Sequence, residues 1–240
     1  MEGVSRFFSG PGDSRGRRVY RTMKFDFVPL WVSLRLGLLV TILAFLTMTP
    51  LAWYTVRKDT PLRRFLESLL VIPLSLPPTV LGFYILLCWS PRFFPGKALG
   101  AMGFSLPFTF LGLVVACTIA HGPHMYQSLR TSFARIEGDL WNASLLLGKG
   151  PVETFFRIVL PLSRRGIISG VLTTFLHTLG DFGLVLMIGG SIPAETRTIS
   201  IALYEQVEKM NYAVAHRYAA VLIGISFLGV YVLSKLQKES

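Results

Sequence analysis

A chain of 240 residues that is 52% apolar, 15% charged and has a mean hydropathy of +0.54 carries far more apolar side chain than the core of a soluble domain consumes. That excludes a soluble globular enzyme. The net charge of +11 gives no support to nucleic-acid binding, because it divides between one basic tail and loops on one side of a set of apolar runs.

In chain order, residues 1–29 form a tail rich in arginine (Arg6, Arg15, Arg17, Arg18, Arg21) with no apolar run of signal-peptide length. Two accounts stay open for residues 1–22: translation starting at Met23, or a disordered extension that binds anionic membrane lipid. Five apolar runs follow, near Leu30–Val56, Phe65–Trp89, Leu106–Gln127, Gly166–Ile188 and Ala215–Leu236. Each is long enough to cross a hydrocarbon layer of roughly 30 Å. They make one membrane domain over 30–236, followed by a short tail at 237–240.

The first run carries Arg35, either snorkelling to the interface or drawing an anion to the outer mouth. The second holds Pro73, Pro77 and Pro78, so its helix must kink or break near mid-membrane. Such backbone is tolerated at depth only beside protein or a water-filled path. Cys88 and Cys117 read as packing residues. His121 and His124 form an H-x-x-H near the inner end of the third run without the acid or third ligand a metalloprotease needs, so no metal is expected.

Between the third and fourth runs lies a polar island at 137–161, NASLLLGKGPVETFFRIVLP in its main part. It reads as two short helices. The first runs from about Glu137 to Leu147 and is stopped by Gly148; the second opens at Pro151 and ends before Pro161. Glu153 and Arg157 stand four apart in the favourable order for a helix surface.

The fourth run contains HTLGDFG, residues 177–183. Read as one helix, it puts His177 and Asp181 on one face with Gly180 and Gly183 beside them. The glycines suit close helix approach at a subunit interface. A buried carboxylate is costly and turns inward; because it would repel an anion, a structural or gating role paired with a basic group is expected. Thr173, Thr174 and Thr178 offer hydroxyls, unless they bond their own backbone. Residues 189–207 then make a loop of marked character before the last run.

Lysine and arginine concentrate in the loop after the first run, in the island and at the C-terminus, which makes those regions cytoplasmic: N-terminus out, C-terminus in. No G-x-x-x-x-G-K-[ST] occurs, so ATP must be hydrolysed elsewhere.

The island pattern from Ala143 to Pro161, A-S-x-x-x-G-x9-I-x-L-P, resembles the cytoplasmic coupling loop of permease subunits of bacterial ABC importers. L-P-P-x-V-x-G at 76–82, the 177–183 segment (similar to A-L-G-E-F-G, with Asp181 for Glu) and G-x-I-P-x-x-T-x-T at 190–198 resemble molybdate and sulfate permeases. The resemblance implies an all-α integral membrane protein of about five transmembrane helices with a cytoplasmic two-helix coupling loop, the type I importer permease fold. It also implies import of molybdate across the inner membrane, with tungstate, sulfate or thiosulfate as alternatives. The implied partners are a second copy of the chain, two ABC ATPase subunits and an extracytoplasmic molybdate-binding protein; ATP and Mg belong to the ATPases, and the chain itself carries no cofactor and no catalysis. It assigns ATPase coupling to Asn142, Ala143, Ser144, Gly148, Glu153, Arg157, Leu160 and Pro161, and the path or gate to Pro77, Pro78, Thr174, Thr178, Gly180, Asp181 and Gly183. One departure is Asn142-Ala143-Ser144 where the family usually has Glu-Ala-Ala, which removes a charge from the loop. A rival from another class is a polytopic membrane enzyme using His121, His124, His177 and Asp181. It requires those groups to converge, whereas the expected topology separates the first pair from the second.

Overall fold

The computed structural model describes residues 25–57, 60–101, 103, 105–136 and 138–238. Both accounts of the basic tail, and Glu137, fall outside them. Among the described residues every regular element is helical.

Helix α1 (Val28–Arg57) runs unbroken for 30 residues. α2 (Pro61–Ser75) starts earlier than the apolar run suggests, because Thr60 caps it, accepting from Arg63 N at 3.3 Å, and Pro61 supplies the first turn. Pro73 is carried inside α2 without ending it. The break comes at Leu76, which precedes a proline and is extended (φ −92°, ψ 142°). Pro78 then opens α3 (Pro78–Trp89), and the chain is bent by 116° between the two helices. The proline run therefore makes a corner.

α4 (Phe94–Ala101) is a short connector. α5 (Phe110–Ala134) packs along α1 on one side and α8 (Arg164–Gly180) on the other. The island supplies α6 (Gly138–Leu146) and α7 (Pro151–Leu162). The expected fourth run is two helices, α8 and α9 (Gly183–Gly189), interrupted at Asp181. α10 (Ile199–Glu208) and α11 (Tyr212–Lys238) complete the chain.

By length and composition α1 and α11 are each long and apolar enough to cross a membrane, and two bent pairs, α2–α3 and α7–α8, pass the same test only when taken together, as a broken span or a re-entrant loop does. α5 is long enough at 25 residues, but it carries two histidines from its middle onward, then Arg130 and a run of hydroxyls.

The core is apolar and has two main parts. Leu36, Val40, Leu113, Ala116, Leu184, Val185 and Ile188 fill the part nearer the N-terminal end of α1. Ala52, Met125, Tyr126, Leu129, Phe133 and Val159 fill the part nearer the island. The outer surface is apolar as well: Ile223 and Phe227 on α11 are 67% and 73% exposed, as side chains facing lipid or a partner are. α5 and α8 approach closely through Gly166 and Gly170. A Cβ on Gly166 would overlap the Ser132 side chain, and one on Gly170 would lie 2.8 Å from Met125 Sδ.

Candidate functional site

Two constellations carry the chemistry. The first lies where α8 breaks. The expectation of one helical face for His177 and Asp181 is overturned: Asp181 leaves the helix (φ −71°, ψ 126°), and its side chain turns to other partners. Oδ1 accepts from Leu184 N at 3.2 Å, satisfying an otherwise orphaned donor in the first turn of α9. Oδ2 lies 2.9 Å from His121 Nε2, both side chains being buried.

His177 follows the other face of the cluster, its ring 4.0 Å from that of His124 and 6.2 Å from that of His121. The separation expected between the two pairs is therefore wrong: packing of α8 along α5 sets His177 against His124 and His121, and the break at Asp181 turns its carboxylate to His121. Cys117, His121 and Asp181 also offer S, N and O atoms within 4.8 Å of one another. The H-x-x-H spacing is not the geometric unit, since His121 pairs across 60 positions with Asp181.

A cavity of about 600 Å³ opens beside this cluster, bounded by Pro78 and Thr79 of α3, His121 of α5, Thr173, His177 and Gly180 of α8, and Asp181 and Gly183. Four of the expected path residues, Pro78, Gly180, Asp181 and Gly183, border it. Pro77, Thr174 and Thr178 do not: Thr178 spends its hydroxyl on Thr174 O at 2.8 Å, and Thr174 is wholly buried. Thr173, one position over, is the threonine at the cavity. Gly183 serves close packing within the chain, since a Cβ there would lie 2.7 Å from Thr79 Cγ2.

The second constellation is the island. α6 ends at Leu146, and Gly148 turns the chain with φ +77°, as a left-handed C-terminal residue does. Lys149 N bonds back to Ser144 O at 3.2 Å, closing the turn. Ser144 Oγ and Thr154 Oγ1 meet at 2.8 Å in a buried contact that fastens α6 to α7. Glu153 holds Lys149 at 2.7 Å and Arg157 at 3.1 Å. The Lys149 hydrogen bond, with both cations nearby, keeps the Glu153 carboxyl below its usual range. Asn142 and Ala143 lie within α6.

The expected end of the second helix before Pro161 is overturned. The helix widens into a π-helical turn over Phe155–Val159, where Leu160 N reaches back to Phe155 O, and it continues to Leu162. The wider turn accommodates a ring that would clash in a regular α-helix and that lacks the N–H.

Sequence reasoning missed the mounting of this loop. Trp53 of α1 contacts Trp141 of α6 at 5.2 Å, Phe155 of α7 at 5.1 Å and Phe133 of α5 at 5.8 Å between ring centroids. Four large apolar side chains face outward from the same loop: Leu146 89%, Leu147 79%, Val152 70% and Phe156 60% exposed. Aromatic residues distributed over four segments had no spacing that could reveal the cluster, whereas the outward leucines stand in plain view beside Gly148.

On the other side, Thr196 donates to Gly189 O at 2.6 Å and accepts from Ile192 N at 3.0 Å, and Arg197 pairs with Glu205 at 2.7 Å. The 189–207 loop is a knitted cap.

A helical chain cornered by prolines, with a two-helix tip mounted on aromatic residues, has the architecture of a transporter's membrane subunit. Residues 48–238 match the family described as the binding-protein-dependent transport system inner membrane component. The chain belongs to that family. It is 40% identical over 209 residues to the molybdenum transport system permease protein ModB of Azotobacter vinelandii, covering 87% of this chain and 92% of that protein. It is 32% identical over 220 residues to ModB of Escherichia coli K12, covering 88% and 96%. Its fold matches a chain of the inward-facing MetNI methionine ABC transporter with a TM-score of 0.67 at 16% identity, over 88% of this chain and 94% of that one.

Proposed function

We propose that this chain is the permease subunit of an ABC importer that carries molybdate across the inner membrane. The likeness of nearly the whole chain to molybdenum permeases supports the cargo. The observation that carries the coupling mechanism is the island tip: outward-facing Leu146, Leu147, Val152 and Phe156 on a loop fixed to α1 and α5 through Trp53. Apolar side chains so exposed at the end of a polar loop suit a partner's cleft. In this reading residues 137–161 are the coupling loop, which docks on one of two ATPase subunits that hold ATP and Mg.

The membrane is crossed five times, by α1, α2–α3, α5, α8–α9 and α11, with the N-terminus outside and the loop inside, as the lysine and arginine bias favours. Two copies of the chain face each other, and a molybdate-binding protein delivers cargo to the outer face. ATP-driven closure draws the loops together and favours the outward-open state; hydrolysis reverses it, because each state makes different loop contacts. The His121–Asp181 pair then serves as a joint between α5 and the α8–α9 break. The chain conducts and does not catalyse.

Co-purification with the ATPase, comparing wild type with Gly148→Asp, tests the docking. Wild type retains the ATPase and the variant loses it while remaining in the membrane; failure of both to retain it sinks the proposal. Uptake of radiolabelled molybdate, competed by tungstate, sulfate or thiosulfate, tests the cargo.

A further inference from the structure

A second and larger cavity, of about 730 Å³, lies at the opposite ends of α5 and α8 from Asp181's partner helix α9. Ser128, Thr131 and Ser132 of α5 and Arg135, the residue that caps its C-terminal end, recur at three- and four-residue spacing and border it; from α8 come Arg165 and Ser169, four apart. The α8 series continues through Thr173 to His177, which border the cavity beside Asp181, and Leu233 of α11 borders both cavities. Arg165, Ser169, Thr173 and His177 thus make one polar series at four-residue spacing that runs from the lining of one cavity to that of the other. Among the described residues no carboxylate borders the larger one.

That composition selects a ligand. Four hydroxyls and two guanidinium groups can all donate hydrogen bonds, and two are permanently cationic, so the complement is a compact anion with acceptors on every side. We propose that this cavity is the release station for the tetrahedral oxyanion, the last site it occupies before the cytoplasm. Rotatable hydroxyls bind such an ion without enclosing it, which suits a site that must also let go. Leu140 of α6 and Leu162 of α7 belong to the apolar side of the wall, with Ile136, Leu233 and Leu236. Movement of the island would therefore change the room at the station, tying release to the loop. The proposal rests on the transport reading above.

The test uses the importer assembled with its ATPase and binding protein in phosphatidylcholine vesicles. Ser169→Cys, with Thr131→Cys as a second reporter, is labelled with a charged thiol reagent, and the labelling of the parent's native cysteines is subtracted. Labelling is expected to be several-fold slower in sodium molybdate than in sodium chloride of equal ionic strength. Arg135→Gln and Arg165→Gln should each raise the protecting concentration about tenfold, the scale of one charge-assisted hydrogen bond. Molybdate uptake without protection at either reporter overturns the station and leaves the transport reading intact. A parent assembly that takes up no molybdate overturns the transport reading itself. Protection by added anionic phospholipid but not by molybdate makes the cavity a headgroup site and also overturns the proposal.

Discussion

His121 and Asp181, 60 positions apart, meet at 2.9 Å between Nε2 and Oδ2, while the other oxygen of the same carboxylate caps α9. One side chain thus joins the middle of α5 to the end of a broken helix and starts the next. Both partners are buried, so neither can exchange the other for water at low cost.

Removing the acid leaves a buried imidazole and an uncapped helix. Asp181→Ala is expected to cost about 3–5 kcal/mol, the range for breaking a buried pair, and to abolish uptake. Asp181→Asn keeps the cap acceptor and loses the charge, so it should fall between. Thermal unfolding of the detergent-purified assembly, with uptake in vesicles, orders the series; equal stability of Ala and wild type would sink the joint.

Trp53 is the mounting of the island, touching Phe133, Trp141 and Phe155. Trp53→Ala should cost about 3–5 kcal/mol. If the assembly survives in lipid, ATPase binding should persist while uptake falls, because the tip is kept and its attachment is lost. A double-mutant cycle with Phe155→Leu should give a coupling of about 0.5–1.5 kcal/mol.

Much of this was legible in the sequence. Apolar runs, proline positions and Gly148 are local signals, and each has its counterpart in a helix, a corner or a left-handed turn. What could not be read was where the chain breaks under competing demands. HTLGDFG looks helical by spacing, yet Asp181 gains more from His121 and the α9 amide than from helical backbone geometry, so the helix stops at Gly180. Pro161 looks like a terminator, yet the π-helical turn before it absorbs the missing donor. The aromatic cluster around Trp53 joins residues from four segments, and only tertiary packing brings them together.

Gly148 has φ +77°, with nothing within 4 Å of where a Cβ would stand. The cost of substitution is therefore backbone strain and not crowding. Gly148→Ala should cost about 1–2 kcal/mol and Gly148→Asn clearly less, since asparagine tolerates this region. The difference should appear in ATPase retention, with Asn retaining more than Ala.

Glu153 sits between Lys149 and Arg157 on the exposed island, and its carboxyl is held below the usual range, chiefly by the Lys149 hydrogen bond. A carboxyl depressed in the folded state contributes stability above its unfolded value and loses that contribution as pH falls through the lower folded value. Glu153→Gln should therefore leave unfolding unchanged below the carboxylate range and shift it barely at neutral pH, because solvent-exposed pairs contribute little. A large loss of stability at neutral pH would contradict this.

Gly166 and Gly170 are the contact through which α8 meets α5, and Gly166 itself borders the larger cavity. A methyl at 166 would collide with Ser132, so Gly166→Ala must push the helices apart or turn the serine away. Separation would widen the wall that carries Arg135 and Arg165 and disturb both helices, whereas rotating Ser132 moves one hydroxyl only. Gly166→Ala alone is expected to lower both thermal stability and uptake, and pairing it with Ser132→Ala, which removes the hydroxyl it meets first, should restore stability in part. Restoration of stability without restoration of uptake would assign the Ser132 hydroxyl a part in conduction; restoration of both would make the glycine a packing residue alone.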